Sequence, residues 1–189
     1  MSTILSKQEI EELLTPEKIK KIAPTADTKR IKELLPYIIE ALIESEIVSL
    51  PRICAWLAQV LHESGSFIYN EEIASGAAYE KRNDLGNIYK GDGKLFKGRG
   101  LIQITGRSNF TQATKALGVN FVDNPELASK DEYSPRIAAW FWRSRNLNKY
   151  ADINTQESFD KITRIINGGT NGKQSRDKYY AKAKQVLGC

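Results

Sequence analysis

The sequence predicts a mainly α-helical domain with one small β-hairpin. Three observations predict this fold class. Apolar residues recur at i, i+3 and i+4 from Ile31 to Ile43, and the same spacing returns from Ile53 to Leu61. Between them and the C-terminal helices lies a loop region, residues 75–100, that contains six glycines. Within it, Asp92-Gly93 is typical of a hairpin turn.

The N-terminal third contains four predicted helices. Ser6 and Glu9 have capping-box spacing, which predicts a short helix to about Leu14. Thr15-Pro16 begins a second short helix. A long helix begins at Thr28, and Leu50-Pro51 begins another that ends near Gly65. We expect residues 1–30 to form a helical extension that braces the domain.

The rest of the chain completes one domain, residues 1–189. The predicted hairpin pairs residues 94–97 with residues 101–105. Four helices follow. The first is capped by Ser108 and ends before Gly118, and the next begins at Ser134-Pro135. The third begins at Thr155 and ends at Asn167-Gly168-Gly169, and the last runs from about Ser175 to Leu187.

Composition excludes several classes of protein. Hydrophobic residues make up 41% and charged residues 27% of the chain, as in ordinary globular proteins. A single histidine, His62, and two cysteines, Cys54 and Cys189, make a zinc site or another metal centre unexpected. The cysteines favour a reduced pair over a disulfide. The net charge of +5 suits an anionic partner. No secretory signal and no membrane-spanning stretch is visible, which favours a cytoplasmic protein.

His62-Glu63 at the end of the Pro51 helix is the first candidate for chemistry. It does not fit a zinc protease, because that motif requires a second histidine where Ser66 stands. Helical spacing places Glu63 at the edge of the apolar face. A carboxyl group there holds its proton more readily, as a general acid requires. A solvated glutamate at a helix end is the alternative.

Two further candidates follow along the chain. Glu71-Glu72 could face Glu63 across a cleft, and a pair of carboxyl groups is what glycoside hydrolysis requires. Adjacent acidic residues are common, so this pair alone is weak evidence. Gln103 and Thr105 would project from one side of a strand, with Ile102 and Ile104 on the other. That pattern fits a cleft wall or an ordinary edge strand.

Taken in order, these segments resemble glycoside hydrolase family 19, and especially its small phage endolysins. The likeness spans about residues 30–187. The segments that carry it are residues 57–65 (LAQVLHESG), Glu72, residues 78–87 (AYEKRNDLGN), residues 91–93 (GDG), residues 96–110 (FKGRGLIQITGRSNF), residues 138–142 (AAWFW) and residues 166–169 (INGG). The resemblance implies a lysozyme-like α+β fold, with the hairpin beside a catalytic cleft.

The resemblance also implies roles for individual residues. Glu63 matches the general acid, Glu72 the second carboxylate, and Thr105 a hydroxyl that positions the attacking water. Glu71 and Glu80 remain alternatives for the second carboxylate. Several residues match groups that line the cleft or support the acidic pair: His62, Tyr79, Gln103, Asn109, Asn167 and Arg176. The family inverts configuration, which implies carboxyl groups roughly 6.5–9.5 Å apart.

The expected function is that of an endolysin, a peptidoglycan hydrolase that cleaves β-1,4 glycosidic bonds of the cell-wall glycan. We expect a monomer that requires no cofactor and no metal and binds glycan strands rather than nucleic acid. It would accumulate in the host bacterial cytoplasm and reach the wall after a holin permeabilises the membrane. A chitinase with the same chemistry and a non-catalytic wall-binding module are the alternatives.

Overall fold

The computed structural model describes residues 3–189. Its α-helices, in chain order, are α1 (Lys7–Leu13), α2 (Pro16–Ile22), α3 (Thr28–Glu44), α4 (Leu50–Glu63), α5 (Asp92–Leu95), α6 (Arg107–Leu117), α7 (Ser134–Ser144), α8 (Asn148–Ala151), α9 (Gln156–Asn167) and α10 (Lys173–Leu187). Short 3₁₀ turns occur at Ala77–Tyr79, Asn83–Leu85 and Pro125–Ser129. The mainly helical fold class is confirmed. No helix within residues 3–189 has the length and apolar character to cross a membrane.

Helix α4 is the centre of the fold. Every residue from Ile53 to Leu61 is buried, because α10 packs along it and α8 adds a further contact. A helix that is apolar on nearly all sides is stable only inside a core. Helix α3 packs against α7 and α2. Glu63 is the last residue of α4, so it lies where the core helix reaches the surface.

The two N-terminal helices are capped as their sequence predicts. Ser6 and Glu9 form the capping box of α1, and the Thr15 hydroxyl accepts from the backbone N–H of Lys18 in α2. Their buried residues include Ile10 and Ile19. Helix α2 packs against α3 and α10, so the segment contributes to the core. Met1 and Ser2 of the expected 1–30 extension lie outside the described residues.

The boundaries of two later helices differ slightly from the predictions. Helix α6 begins at Arg107 after Gly106, so Ser108 lies within its first turn and does not cap it. Helix α10 begins at Lys173, two residues before Ser175. Helix α9 follows Thr155, as predicted, and Thr155 and Ser158 form a capping box at its start.

The predicted hairpin is wrong. Asp92–Leu95 forms the single-turn helix α5, and residues 101–103 are a turn. Long-range side-chain contacts explain the difference. The carboxylate of Glu80 accepts the backbone N–H groups of Gly91 and Gly93, while that of Asp92 pairs with Arg107 at 2.6 Å. Antiparallel pairing survives only as single-residue bridges, Glu71 to Arg99 and Arg99 to Ile104.

The two cysteines are free and close together. Cys54 is buried in α4, and the half-buried Cys189 donates to Asn154 Oδ1 at 3.6 Å. Hydrogen bonding between the two thiols raises the pKa of Cys54, and it lowers the pKa of Cys189 to about 6. Both thiols are therefore reduced and influence each other's ionisation.

Candidate active site

Glu63 is fixed by a buried polar network. Its Oε1 accepts from Nη2 of Arg176 at 2.5 Å, and Nη1 of Arg176 donates to Gln59 Oε1 at 2.5 Å. Gln59 Nε2 in turn donates to Thr163 Oγ1 at 2.9 Å. The network joins α4, α9 and α10, and Arg176 is only 1% exposed. Because buried polar groups are costly unless paired, it holds the Glu63 side chain in one orientation.

The surroundings of Glu63 differ from the apolar ones predicted. Its side chain is 22% exposed and ion-paired with a guanidinium from a residue 113 positions away. Helical spacing around α4 could not show this contact, because Arg176 comes from α10. The guanidinium stabilises the carboxylate anion that proton donation leaves behind.

His62 lies beside this network and under the loop that precedes α10. A Cβ at Gly172 would lie 2.2 Å from the His62 ring, so the loop backbone packs directly on the imidazole. Partial burial and the charge of Arg176 lower the pKa of His62, although Glu63 opposes them. The ring is therefore neutral at pH 7 and forms part of the wall next to Glu63.

Glu72 is held by two donors. The hydroxyl of Tyr79 donates to its Oε1 at 3.0 Å, and the backbone N–H of Gly98 donates to its Oε2 at 3.1 Å. The backbone of Glu72 also donates to the carbonyl of Gly98 at 2.8 Å. The carboxylate is thus oriented but remains partly exposed. Burial and the nearby carboxylate raise the pKa of Tyr79, which keeps its hydroxyl protonated as a donor.

The two alternative carboxylates have other partners. Glu71 pairs with Lys97 at 3.0 Å and Arg99 at 3.4 Å. Partial burial raises the pKa of Glu71, but these two cations outweigh it, and the net shift is downward. The pKa of Glu80 is also lowered, because its carboxylate accepts hydrogen bonds from the backbone N–H groups of Gly91 and Gly93. Both side chains stabilise loop structure. Among residues 3–189, no three or more His, Cys, Asp or Glu side chains are placed to hold a metal ion.

Gln103 lies in a turn, Thr105 follows it, and Asn109 lies in the first turn of α6. Residues 101–103 are not the strand predicted, and Gln103 has a left-handed backbone with φ of 53°. Thr105 Oγ1 nevertheless donates to the Gln103 carbonyl at 3.0 Å, and Asn109 Nδ2 donates to the Thr105 carbonyl at 2.8 Å. All three side chains are partly exposed.

This turn meets the second carboxylate at Gly98. A Cβ there would lie 2.8 Å from Gln103 Oε1 and 3.2 Å from Glu72 Oε2. A side chain at position 98 would therefore crowd both oxygens, and glycine leaves room for them. The segment after α4 and the segment before α6 therefore converge on one polar surface.

Asn167 is the last residue of α9, just before the loop that covers His62. Its Nδ2 is buried and has no hydrogen-bond partner among the described residues. A buried amide without a partner is costly in a folded protein. The sugar-binding role expected of Asn167 stays a prediction.

Two residues of the site were missed at the sequence level. Gln59 accepts from Arg176, and Thr163 accepts from Gln59. Neither is identified as a site residue by spacing or resemblance. The available signal is Gln59 itself, a polar residue within an otherwise apolar helix. Such a residue needs a buried partner, although the sequence does not say which.

Comparisons with known proteins identify the family to which this chain is similar. The family model for glycoside hydrolase family 19, described as chitinase class I, matches residues 52–155. An endochitinase of Arabidopsis thaliana is 40% identical over 152 residues, which is 75% of this chain and 50% of that protein. The chain thus spans about half the length of that relative. A family 19 domain-containing protein of Haemophilus influenzae is 33% identical over 156 residues, 66% of this chain and 74% of that protein.

The same similarity is found in a solved structure. The class IV family 19 chitinase of Zea mays superimposes with a TM-score of 0.70 and 24% sequence identity, covering 93% of each chain. This likeness shows the shared fold. Together with the matched segment that contains Glu63, Glu72 and Thr105, the comparisons show that the chain belongs to glycoside hydrolase family 19.

Proposed function

We propose that this protein is an inverting hydrolase of peptidoglycan that cleaves β-1,4 glycosidic bonds between its amino sugars. The observation that carries the proposal is a pair of partly exposed carboxylates, Glu63 and Glu72, each oriented by its own donors. Two such groups are what acid–base glycoside hydrolysis requires. Family membership supports the reaction class.

In the proposed mechanism Glu63 protonates the leaving glycosidic oxygen. Arg176 then stabilises the carboxylate that remains. Glu72 accepts a proton from the attacking water, and the Thr105 hydroxyl helps to position that water. Gln103, Asn109 and Asn167 hold the sugar, with His62 and Tyr79 as walls of the cleft. No cofactor or metal takes part.

We propose Glu72 as the second carboxylate rather than Glu71 or Glu80. The last two are engaged with cations or backbone amides of the loops. Replacing each in turn with glutamine tests this assignment. Glu72→Gln is expected to reduce kcat by at least about 100-fold, within the usual range for a general base. Glu71→Gln and Glu80→Gln should retain most activity in the fraction that folds. If Glu72→Gln retains its activity, the assignment of Glu72 is overturned.

The biological setting we propose is that of a phage endolysin. The protein would act as a monomer, accumulate in the host cytoplasm and reach the wall once a holin has opened the membrane. The net charge of +5 suits an anionic wall. Chitin is the alternative substrate, and the endochitinases among the relatives favour it. A wall-binding module without catalysis would also keep this fold.

Mass spectrometry of products from purified Gram-negative sacculi distinguishes a peptidoglycan hydrolase from a chitinase and from a wall-binding module. Wild type and Glu63→Gln are incubated with sacculi and, in parallel, with colloidal chitin. New reducing ends from sacculi, absent with the variant, are expected. Cleavage of chitin alone would establish the chitinase alternative. Binding to sacculi without cleavage, unchanged in the variant, would establish a binding module.

A further inference from the structure

A basic groove runs between α2 and α10. It consists of two adjoining cavities of about 510 and 530 Å³, which share Lys21, Pro24 and Lys182. Helix α10 lines the groove with one face, because Ser175, Lys178 and Lys182 recur at helical spacing. From Ser175 to Val186 the groove extends roughly 16 Å along the helix axis.

One end of the groove adjoins the candidate active site. Tyr179, in the groove wall, hydrogen-bonds to Ser66 at 2.8 Å, and Ser66 contacts Thr25 at 2.9 Å. Ser66 comes only three residues after Glu63. On α10, Ser175 immediately precedes Arg176, whose guanidinium holds Glu63. The Ser175 end of the groove therefore lies one residue along the chain from the side chain that holds Glu63.

The groove carries positive charge that the protein does not neutralise. Lys21, Lys178 and Lys182 are exposed, and none forms an ion pair with any residue from 3 to 189. No aspartate or glutamate lines either cavity. Elsewhere on α10 the pattern differs, since Lys173 pairs with Asp160 and Asp177. Three unpaired ammonium groups along one concave surface favour an extended ligand with several negative charges.

We propose that this groove binds the peptide stem of peptidoglycan through the free carboxylates of the stem. The proposal rests on the peptidoglycan hydrolase function proposed above. An extended stem of four residues is roughly 13–14 Å long, which matches the groove. Chitin has the same β-1,4 linkage but no peptide, so it leaves the groove empty. The cleft would thus recognise the sugar, and the groove would select the wall polymer over chitin.

The test uses a groove variant, Lys21→Gln/Lys178→Gln/Lys182→Gln, and a matched control, Lys29→Gln/Lys115→Gln/Lys130→Gln. Both lower the net charge by three, and the control lysines are exposed and lie outside the groove. Each protein is assayed on intact sacculi and on glycan strands stripped of stems by an amidase. The groove variant should lose about tenfold in kcat/KM on intact sacculi, since each exposed charge pair contributes modestly. It should match wild type on stripped strands.

Three outcomes would overturn the proposal. The groove variant and the control could lose activity equally on intact sacculi, which would indicate a general effect of charge. The groove variant could lose activity equally on stripped strands, which would indicate damage to the cleft. Wild type could also bind double-stranded DNA as tightly as the disaccharide tetrapeptide, which would indicate an unselective basic surface.

Failure of the proposed function is recognised separately. In that case wild type cleaves neither form of the glycan. Calorimetric binding of the disaccharide tetrapeptide to wild type and the groove variant, compared with the bare disaccharide, then tests the groove alone. Binding that requires both the peptide and the three lysines supports the groove proposal. Equal binding of both ligands overturns it.

Discussion

Replacing Glu63 with glutamine should reduce stability as well as activity. The substitution leaves Arg176, which is 1% exposed, without its carboxylate partner. Removing one member of a buried ion pair typically costs about 3–5 kcal/mol. Glu63 is 22% exposed, and glutamine keeps one acceptor oxygen. We therefore expect Glu63→Gln to lower the free energy of unfolding by about 1–2 kcal/mol.

A double-mutant cycle isolates this pair. Arg176→Met removes the guanidinium but fills similar space, and it also releases Gln59. In Glu63→Gln/Arg176→Met no unpaired charge remains, so the combined loss should be smaller than the sum of the single losses by about 1 kcal/mol.

Urea denaturation of the four proteins measures the cycle, and thermal melting provides a check. At roughly 2–4 °C per kcal/mol for a chain of this size, Glu63→Gln should melt about 2–8 °C below wild type. Additive losses to within about 0.5 kcal/mol would refute the coupling. A Glu63→Gln protein as stable as wild type would show that the Arg176 contact contributes nothing to folding.

Three other predictions test separate features. Gly172→Ala should reduce activity and stability, because the new Cβ would collide with the His62 imidazole. Gly169→Ala is the control, since its Cβ would have a single neighbour 3.8 Å away, and it should resemble wild type in melting and activity assays. Iodoacetamide at pH 7 should label Cys189 and spare the buried Cys54 in the folded protein, as read by peptide mass spectrometry; labelling of both at equal rates would contradict this. The guanidinium partner of Asp92 lowers the pKa of that carboxyl below its ordinary value. The stabilisation is therefore present above that ordinary pKa and is lost as pH falls through the folded value. Asp92→Asn should thus cost stability at pH 7, and a difference that failed to shrink in acid would argue against this ion pair.

The helices were predictable from the sequence because their signals are local. Caps at Ser6 and Thr155 and the apolar spacing in α3 and α4 act within a few residues, and the structure keeps them. Where the sequence prediction failed, the deciding contacts were distant. Asp92-Gly93 is a good hairpin signal, but the partners of this segment include Glu80 and Arg107.

In the candidate site too, the sequence indicates individual residues but not the distant contacts that they make. The resemblance matches Glu63 and Glu72 to the two carboxylates, but it leaves Glu71 and Glu80 as alternatives to Glu72. The three carboxylates differ in their hydrogen-bond and ion-pair partners, and only the structure shows those partners. The apolar environment expected for Glu63 was wrong for a similar reason, since Arg176 reaches it from 113 residues away.

The two candidate carboxylates belong to parts of the molecule with different local stability. Glu63 ends the most buried helix, whereas Glu72 lies in a segment held by isolated bridges, next to Ile73, which is 85% exposed. Amide hydrogens of α4 should therefore exchange with solvent only through global unfolding, while those around Glu72 exchange through local opening. On warming, the cleft would lose its shape first. Heat would abolish catalysis at temperatures where the helical circular dichroism signal is still intact.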